Sequence, residues 1–102
     1  MIESLKNSRR IYISGPITGV ENFQERFDAA EELLTANGHE VINPTNVMKI
    51  SKTFSWGEYM EIDLALLGLC DTIVLLPGWK QSKGCAWEYE YAKSHGHKIY
   101  EM

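Results

Sequence analysis

Short β-prone runs alternate with helical segments along the whole chain, and this alternation constrains the fold more than any other feature of the sequence. Four strands are predicted, at residues 10–14, Val41-Ile42, Thr72–Leu76 and Lys98–Tyr100. Strands that alternate with helices favour a parallel sheet with right-handed crossovers and helices on both faces. The 102 residues suffice for one core but not for two. The sequence therefore predicts a single α/β domain over residues 1–102, doubly wound and flavodoxin- or Rossmann-like, with a parallel sheet of four to five strands.

Capping patterns mark where two of the three predicted helices begin. Asn22 with Glu25, and Ser55 with Glu58, have the spacing of a capping box, in which two side chains bond each other's backbone N–H groups. The third helix is predicted over residues 83–95. Residues 45–54 lack a regular pattern and are predicted to form a loop.

Charge and composition exclude several classes of partner. The net charge of −4 argues against a protein that coats nucleic acid, which usually shows a basic face. The two cysteines, Cys70 and Cys85, lack metal-ligand spacing and are expected to be buried reduced thiols, and the three histidines share no face. No apolar run reaches membrane-spanning length and no leader pattern is visible. We expect a cytoplasmic protein with neither a nucleic-acid nor a membrane partner, and no metal.

Three loops follow the carboxyl ends of the predicted strands, where open α/β sheets bind their ligands. They are Ser14–Gly19, Asn43–Thr45 and Pro77–Gly84. Glycines allow a backbone to approach a ligand closely, although tight turns also need glycine for structural reasons. None of the loops contains a Walker lysine motif or a complete GxGxxG. Dinucleotide and nucleoside-triphosphate binding are therefore disfavoured, and no cofactor is predicted.

Two carboxylates and one tyrosine are the candidate chemical groups. Glu88 lies just inside the helix that follows the strand Thr72–Leu76, and Asp63 borders an apolar stripe of the preceding helix. Spacing alone leaves open whether both are solvated surface residues. Tyr12 falls within the first strand, where packing is the usual role of an aromatic side chain, but a buried hydroxyl group needs a partner. Trp56 and Trp79 could each stack on a base or pack in the core or a lid.

These residues together resemble the nucleoside 2-deoxyribosyltransferase-like family, in particular its small bacterial and phage members. The resemblance covers nearly the whole chain. It rests on four main blocks: Ile11-Tyr-Ile-Ser-Gly-Pro-Ile-Thr-Gly19, Gly38-His-Glu-Val-Ile-Asn-Pro44, Trp56-Gly-Glu-Tyr-Met-Glu-Ile-Asp63 and Ser82-x-Gly84-x-x-x-Glu88. So many blocks in one order make the family assignment specific.

The resemblance implies an enzyme that cleaves or exchanges the N-glycosidic bond of a (deoxy)nucleoside or nucleotide. Glu88 would attack the anomeric carbon, Tyr12 would position its carboxylate, and Asp63 would assist protonation of the base. Substrate contacts are predicted in the strand-end loops, at Gly15, Pro16, Ile17, Thr18, Asn43, Trp79, Ser82 and Gly84. A homodimer or larger homo-oligomer is expected, because members of this family assemble in that way.

The resemblance leaves the acceptor and the need for a 5′-phosphate open. Ser82 stands where base-exchanging transferases tend to carry aspartate, and a serine there is similar to the nucleotide-hydrolysing branch. Thr18 stands where that branch usually has an arginine. A second hypothesis is therefore a non-catalytic nucleotide-binding or nucleotide-sensing module that uses the same cleft.

Overall fold

The computed structural model describes residues 5–102, which form a small α/β domain with four parallel strands in one sheet. The strands are β1 (Arg10–Ser14), β2 (Glu40–Ile42), β3 (Thr72–Leu75) and β4 (Lys98–Glu101), and the helices are α1 (Phe23–Ala36), α2 (Trp56–Gly68) and α3 (Lys83–Ser94). The predicted α/β fold class is confirmed. Every predicted strand and helix is present, and no end is displaced by more than two residues.

The strand order is β2-β1-β3-β4, so the connections run in opposite directions from the centre of the sheet. β1 pairs with β2 on one side and with β3 on the other, and its last residue, Ser14, lies opposite Leu75. The reversal of order between β1 and β3 is the switch point at which doubly wound sheets leave a crevice for a ligand. The ends of β1 and β3 therefore mark the expected position of a site.

Both faces of the central strands are buried, because side chains alternate along a strand and helices cover each face. Ile11, Ile13 and Val74 pack against α1, where Phe27 and Leu34 are almost fully buried. On the opposite face the core contains the residues Tyr12, Leu67, Ile73, Leu75 and Ala92. Burial of each large apolar side chain contributes about 1.5–3 kcal/mol, so the two clusters fix both helical layers on the sheet.

The capping box at the start of α2 is confirmed. The Ser55 side chain accepts a hydrogen bond from the Glu58 N–H group at 3.1 Å, and the Glu58 carboxylate accepts one from the Ser55 N–H group at 2.7 Å. The corresponding prediction for α1 is wrong, since Asn22 makes no side-chain capping bond. Its ψ of 27° is not the extended conformation of a capping residue, because the chain enters α1 through consecutive turns from Ile17.

A further difference is a 3-10 helix at Pro44–Lys49, within the predicted loop. Asn43 starts it, since its side-chain oxygen accepts a hydrogen bond from the Thr45 N–H group at 3.1 Å and Pro44 occupies the first helical position. Cys70 and Cys85 are buried free thiols, as expected. Within residues 5–102 no helix combines the length and the apolar character needed to cross a membrane.

Candidate active site

A cavity of about 1100 Å³ opens at the switch point, between the loops that follow β1 and β3 and the first turns of α2 and α3. Eight of the predicted site residues line it: Gly15, Pro16, Ile17, Thr18, Asp63, Ser82, Gly84 and Glu88. They come from chain segments far apart in sequence, which the parallel sheet brings to one edge. The cavity is large enough for a drug-sized ligand.

Glu88 lines the cavity, and only 5% of it is exposed. Its Oε2 atom accepts a hydrogen bond from the Tyr12 hydroxyl group at 2.5 Å, and its Oε1 atom accepts one from the Ser14 hydroxyl group at 2.6 Å. Tyr12 and Ser14 are two residues apart on β1, so their side chains point to the same face of the sheet. Both are fully buried. The carboxylate is therefore held between α3 and β1.

Burial raises the pKa of Glu88 to about 7, and the hydrogen bonds from Ser14 and Tyr12 oppose that rise because they favour the ionised form. The pKa of the Tyr12 hydroxyl group is raised well above its usual value, first by burial and then by the negative charge of Glu88. Tyr12 thus remains a hydrogen-bond donor throughout the neutral range. Near neutral pH the carboxylate exchanges between its protonated and ionised forms.

Asp63 lines the same cavity from the middle of α2. Its Oδ1 atom is buried and has no hydrogen-bond partner among the described residues. Burial, and then the charge of Glu88, raises the pKa of Asp63 to about 7. Two carboxyl groups that line one cavity and are both shielded from solvent disfavour a double negative charge. The pair therefore tends to retain one proton at neutral pH, and the unpaired oxygen is free to bond a ligand.

Two glycines of the strand-end loops, Gly15 and Gly78, are required for different structural reasons. A Cβ atom on Gly15 would lie 2.9 Å from Cδ1 of Leu76 and 3.1 Å from Cζ of Phe27, so the first loop passes too close to the core for any side chain. Gly78 has a φ of +89°, which favours glycine. Ser82 caps α3, because its hydroxyl group accepts a hydrogen bond from the Cys85 N–H group at 3.3 Å.

Two predicted substrate contacts, Asn43 and Trp79, do not lie among the residues that line the cavity. The Asn43 amide group is turned toward α1, where it donates to Asp28 and Glu31 at 3.0 and 2.9 Å. The Trp79 ring packs on Tyr89 and its Nε1 atom donates to Glu101 at 2.9 Å. Both side chains are engaged in these intramolecular contacts.

Several residues that line the cavity are not among the predicted site residues. Met48, Tyr59 and Met60 form an apolar wall, and Trp56, which is 43% exposed, extends it. Arg26 and Lys83 bring positive charge to the cavity. Five further lining residues are Val20, Phe27, Pro44, Gln81 and Cys85. The 3-10 helix that carries Met48 was predicted as a loop, so no pattern indicated its orientation.

The sequence matches the model of a family described as a domain of unknown function, DUF4406, over residues 9–101. The chain belongs to this family. No curated protein matches the sequence.

Two solved structures of 2-deoxyribosyltransferases are similar to this chain. The first is the enzyme of the psychrotolerant bacterium Bacillus psychrosaccharolyticus, described as a biocatalyst for the synthesis of antiviral and antitumoral nucleosides. It superposes with a TM-score of 0.74 at 20% identity, over 90% of this chain and 70% of its own. The second, from Leishmania mexicana, has a TM-score of 0.69 at 21% identity, over 92% of this chain and 63% of its own. At this identity the likeness shows a shared flavodoxin-like fold.

Proposed function

We propose that this protein cleaves or transfers the N-glycosidic bond of a (deoxy)nucleoside or its monophosphate, with Glu88 as the nucleophile. One observation carries the proposal: the carboxylate of Glu88 is buried at the switch point and held by Tyr12 and Ser14, and the partly buried carboxyl group of Asp63 lines the same cavity. Retaining glycosyl transfer requires such a pair, one group as nucleophile and the other as acid–base catalyst. The fold shared with the 2-deoxyribosyltransferases supports the same reaction class.

In the first step an oxygen of Glu88 bonds to the anomeric carbon while the bond from that carbon to the base nitrogen breaks. The electron pair of that bond goes to the base, and the Asp63 carboxyl group donates a proton to it, since its raised pKa lets a fraction of the protein carry that proton near pH 7. The product is a glycosyl ester of Glu88 and a free base.

In the second step water or a second base attacks the anomeric carbon, and the ester bond to Glu88 breaks. Asp63, now ionised, accepts the proton of the incoming nucleophile. The glutamate is restored as a carboxylate, and the Tyr12 hydroxyl group stabilises its returning charge. The site thereby returns to the protonation state from which it started.

Arg26 and Lys83 favour a substrate that carries a 5′-phosphate. Both line the cavity, in a chain whose net charge is −4. Arg26 is only partly exposed and donates to the Pro77 carbonyl group at 2.5 Å, which holds its guanidinium group against the loop that follows β3. Arg26 reaches the cavity from α1. We infer that it supplies the positive charge for a phosphate, since the first loop has Thr18 in place of an arginine.

The proposal is tested with 2′-deoxynucleosides, ribonucleosides and their 5′-monophosphates, each with and without a second free base, by chromatography of the released bases. Glu88→Ala should abolish release, whereas Glu90→Ala, an exposed glutamate on the same helix, should leave it unchanged. Equal release by wild type and Glu88→Ala would rule out the nucleophile. Binding of a nucleotide by calorimetry without any turnover would favour the alternative, a nucleotide-binding module.

A further inference from the structure

The Glu88 carboxylate has a second hydrogen-bond donor, Ser14, in addition to the tyrosine. Ser14 ends β1, is 0% exposed, and donates from Oγ to Oε1 of Glu88 at 2.6 Å. Tyr12 donates to the other oxygen, Oε2. Each carboxylate oxygen thus has one donor from the same strand.

Two donors constrain the carboxylate in a way that one donor does not. The last torsion of a glutamate side chain is broad, so a single hydrogen bond leaves the plane of the carboxylate free to rotate. A second bond, to the other oxygen, fixes that plane. Both donors stand on a paired strand, and the Ser14 carbonyl group itself accepts from the Leu76 N–H group at 2.8 Å. The support is therefore rigid.

We propose that Ser14 is a positioning residue for Glu88, whose hydroxyl group sets the rotation of the carboxylate and supports its negative charge during nucleophilic attack. The hydroxyl group has one proton to donate, and the carboxylate is the strongest acceptor beside it. The neighbouring Cys85 thiol is only a weak hydrogen-bonding group. The catalytic role rests on the proposed function, whereas the effect on the charge of Glu88 is measurable without any substrate.

The direct test is a carbon NMR titration of Glu88 in protein with labelled glutamate. Ser14→Ala removes the donor, so the pKa of Glu88 should rise by about one unit, because a hydrogen bond to the ionised form favours that form. Ser14→Cys keeps a side chain of similar size with a poorer hydrogen-bond donor, so the pKa of Glu88 should rise by less. This variant is measured under reducing conditions to keep its thiol free. It also decides the question if the alanine variant does not fold.

Thr72→Val is the matched control, because Thr72 is another fully buried hydroxyl residue of the sheet, bonded to Ser8 and Asp71 instead of to the cavity. It should leave the pKa of Glu88 unchanged. An unchanged pKa in Ser14→Ala or Ser14→Cys, or an equal rise in Thr72→Val, would overturn the assignment.

Activity measurements separate this inference from the proposed function. With a cleaved substrate, Ser14→Ala should move the acidic limb of the kcat/KM profile to higher pH by the same amount as the NMR pKa, with little change in KM. Absence of turnover in every variant, including wild type, would count against the proposed function alone. A pKa shift in the NMR titration that leaves the kcat/KM profile in place would overturn the catalytic role of Ser14.

Discussion

Replacement of Glu88 by glutamine removes a buried ionisable group while it keeps the shape of the side chain, so it should stabilise the protein in a pH-dependent way. The pKa of Glu88 is about 7 in the folded protein against an ordinary value of 4.5. The difference of 2.5, at about 1.4 kcal/mol per unit, corresponds to about 3 kcal/mol. This is an upper bound on the free energy of unfolding that ionisation of Glu88 removes.

The direction follows from proton binding. Below about pH 4.5 Glu88 is protonated in both the folded and the unfolded chain, so its ionisation does not lower the stability. Between about pH 4.5 and 7 the folded chain retains the proton that the unfolded chain has lost, and the stability falls as the pH rises. Above about pH 7 Glu88 is ionised in both chains, and the free energy of unfolding is lowered by the full amount. Glu88→Gln avoids this loss, so its advantage over wild type should be greatest in alkaline solution.

The assay is urea unfolding followed by tryptophan fluorescence at about pH 5 and about pH 8.5. Glu88→Gln should exceed wild type by about 1–3 kcal/mol at the higher pH and by much less at the lower pH. Glu90→Gln, on the exposed face of α3, should match wild type at both values. A Glu88→Gln variant that is less stable than wild type at the higher pH, or whose advantage does not depend on pH, would show that ionised Glu88 does not destabilise the folded protein.

Three further predictions concern the core, the reaction and the assembly. Gly15→Ala should lower the free energy of unfolding by about 1–3 kcal/mol in thermal denaturation, because its Cβ atom would lie 2.9 Å from a Leu76 methyl carbon. Gly57→Ala on α2 is the control: its Cβ atom would meet only an atom 3.9 Å away, so the substitution should be neutral or stabilising. The pH profile of kcat/KM should be bell-shaped around pH 7, since Glu88 must be ionised and Asp63 protonated; a profile that stays flat across that range would contradict the shared-proton mechanism. Light scattering after size exclusion should show a homodimer or larger homo-oligomer, and a monomer at all working concentrations would count against that expectation.

The fold could be predicted because its signals are local. Strand periodicity, the Ser55 capping box and the turn at Asn37-Gly38 all act within a few residues, and each is present in the structure. The predicted Asn22 cap is absent although its spacing from Glu25 fits a capping box, because the preceding turns set the backbone conformation of Asn22.

The site was predictable only where strand ends determine position. Parallel strands bring their carboxyl ends to one edge, which is why the loops around Gly15 and Ser82 meet in one cavity. The contact of Ser14 with Glu88 joins residues 74 apart in sequence, and a small polar residue at a strand end has many equally good roles. Asn43 and Trp79 lie on loops at the same edge, yet their side chains are hydrogen-bonded within the protein and do not line the cavity.

The order of the strands also bears on how copies of this chain can associate. β2 and β4 form the two edges of the sheet, where unpaired backbone groups can pair with another chain. β2 has only three residues and begins with exposed Glu40, and β4 carries exposed charges at both ends, Lys98 and Glu101. Short, charged edges discourage sheet continuation. We therefore expect this protein to assemble through its helices, with the sheet of each copy remaining four strands wide.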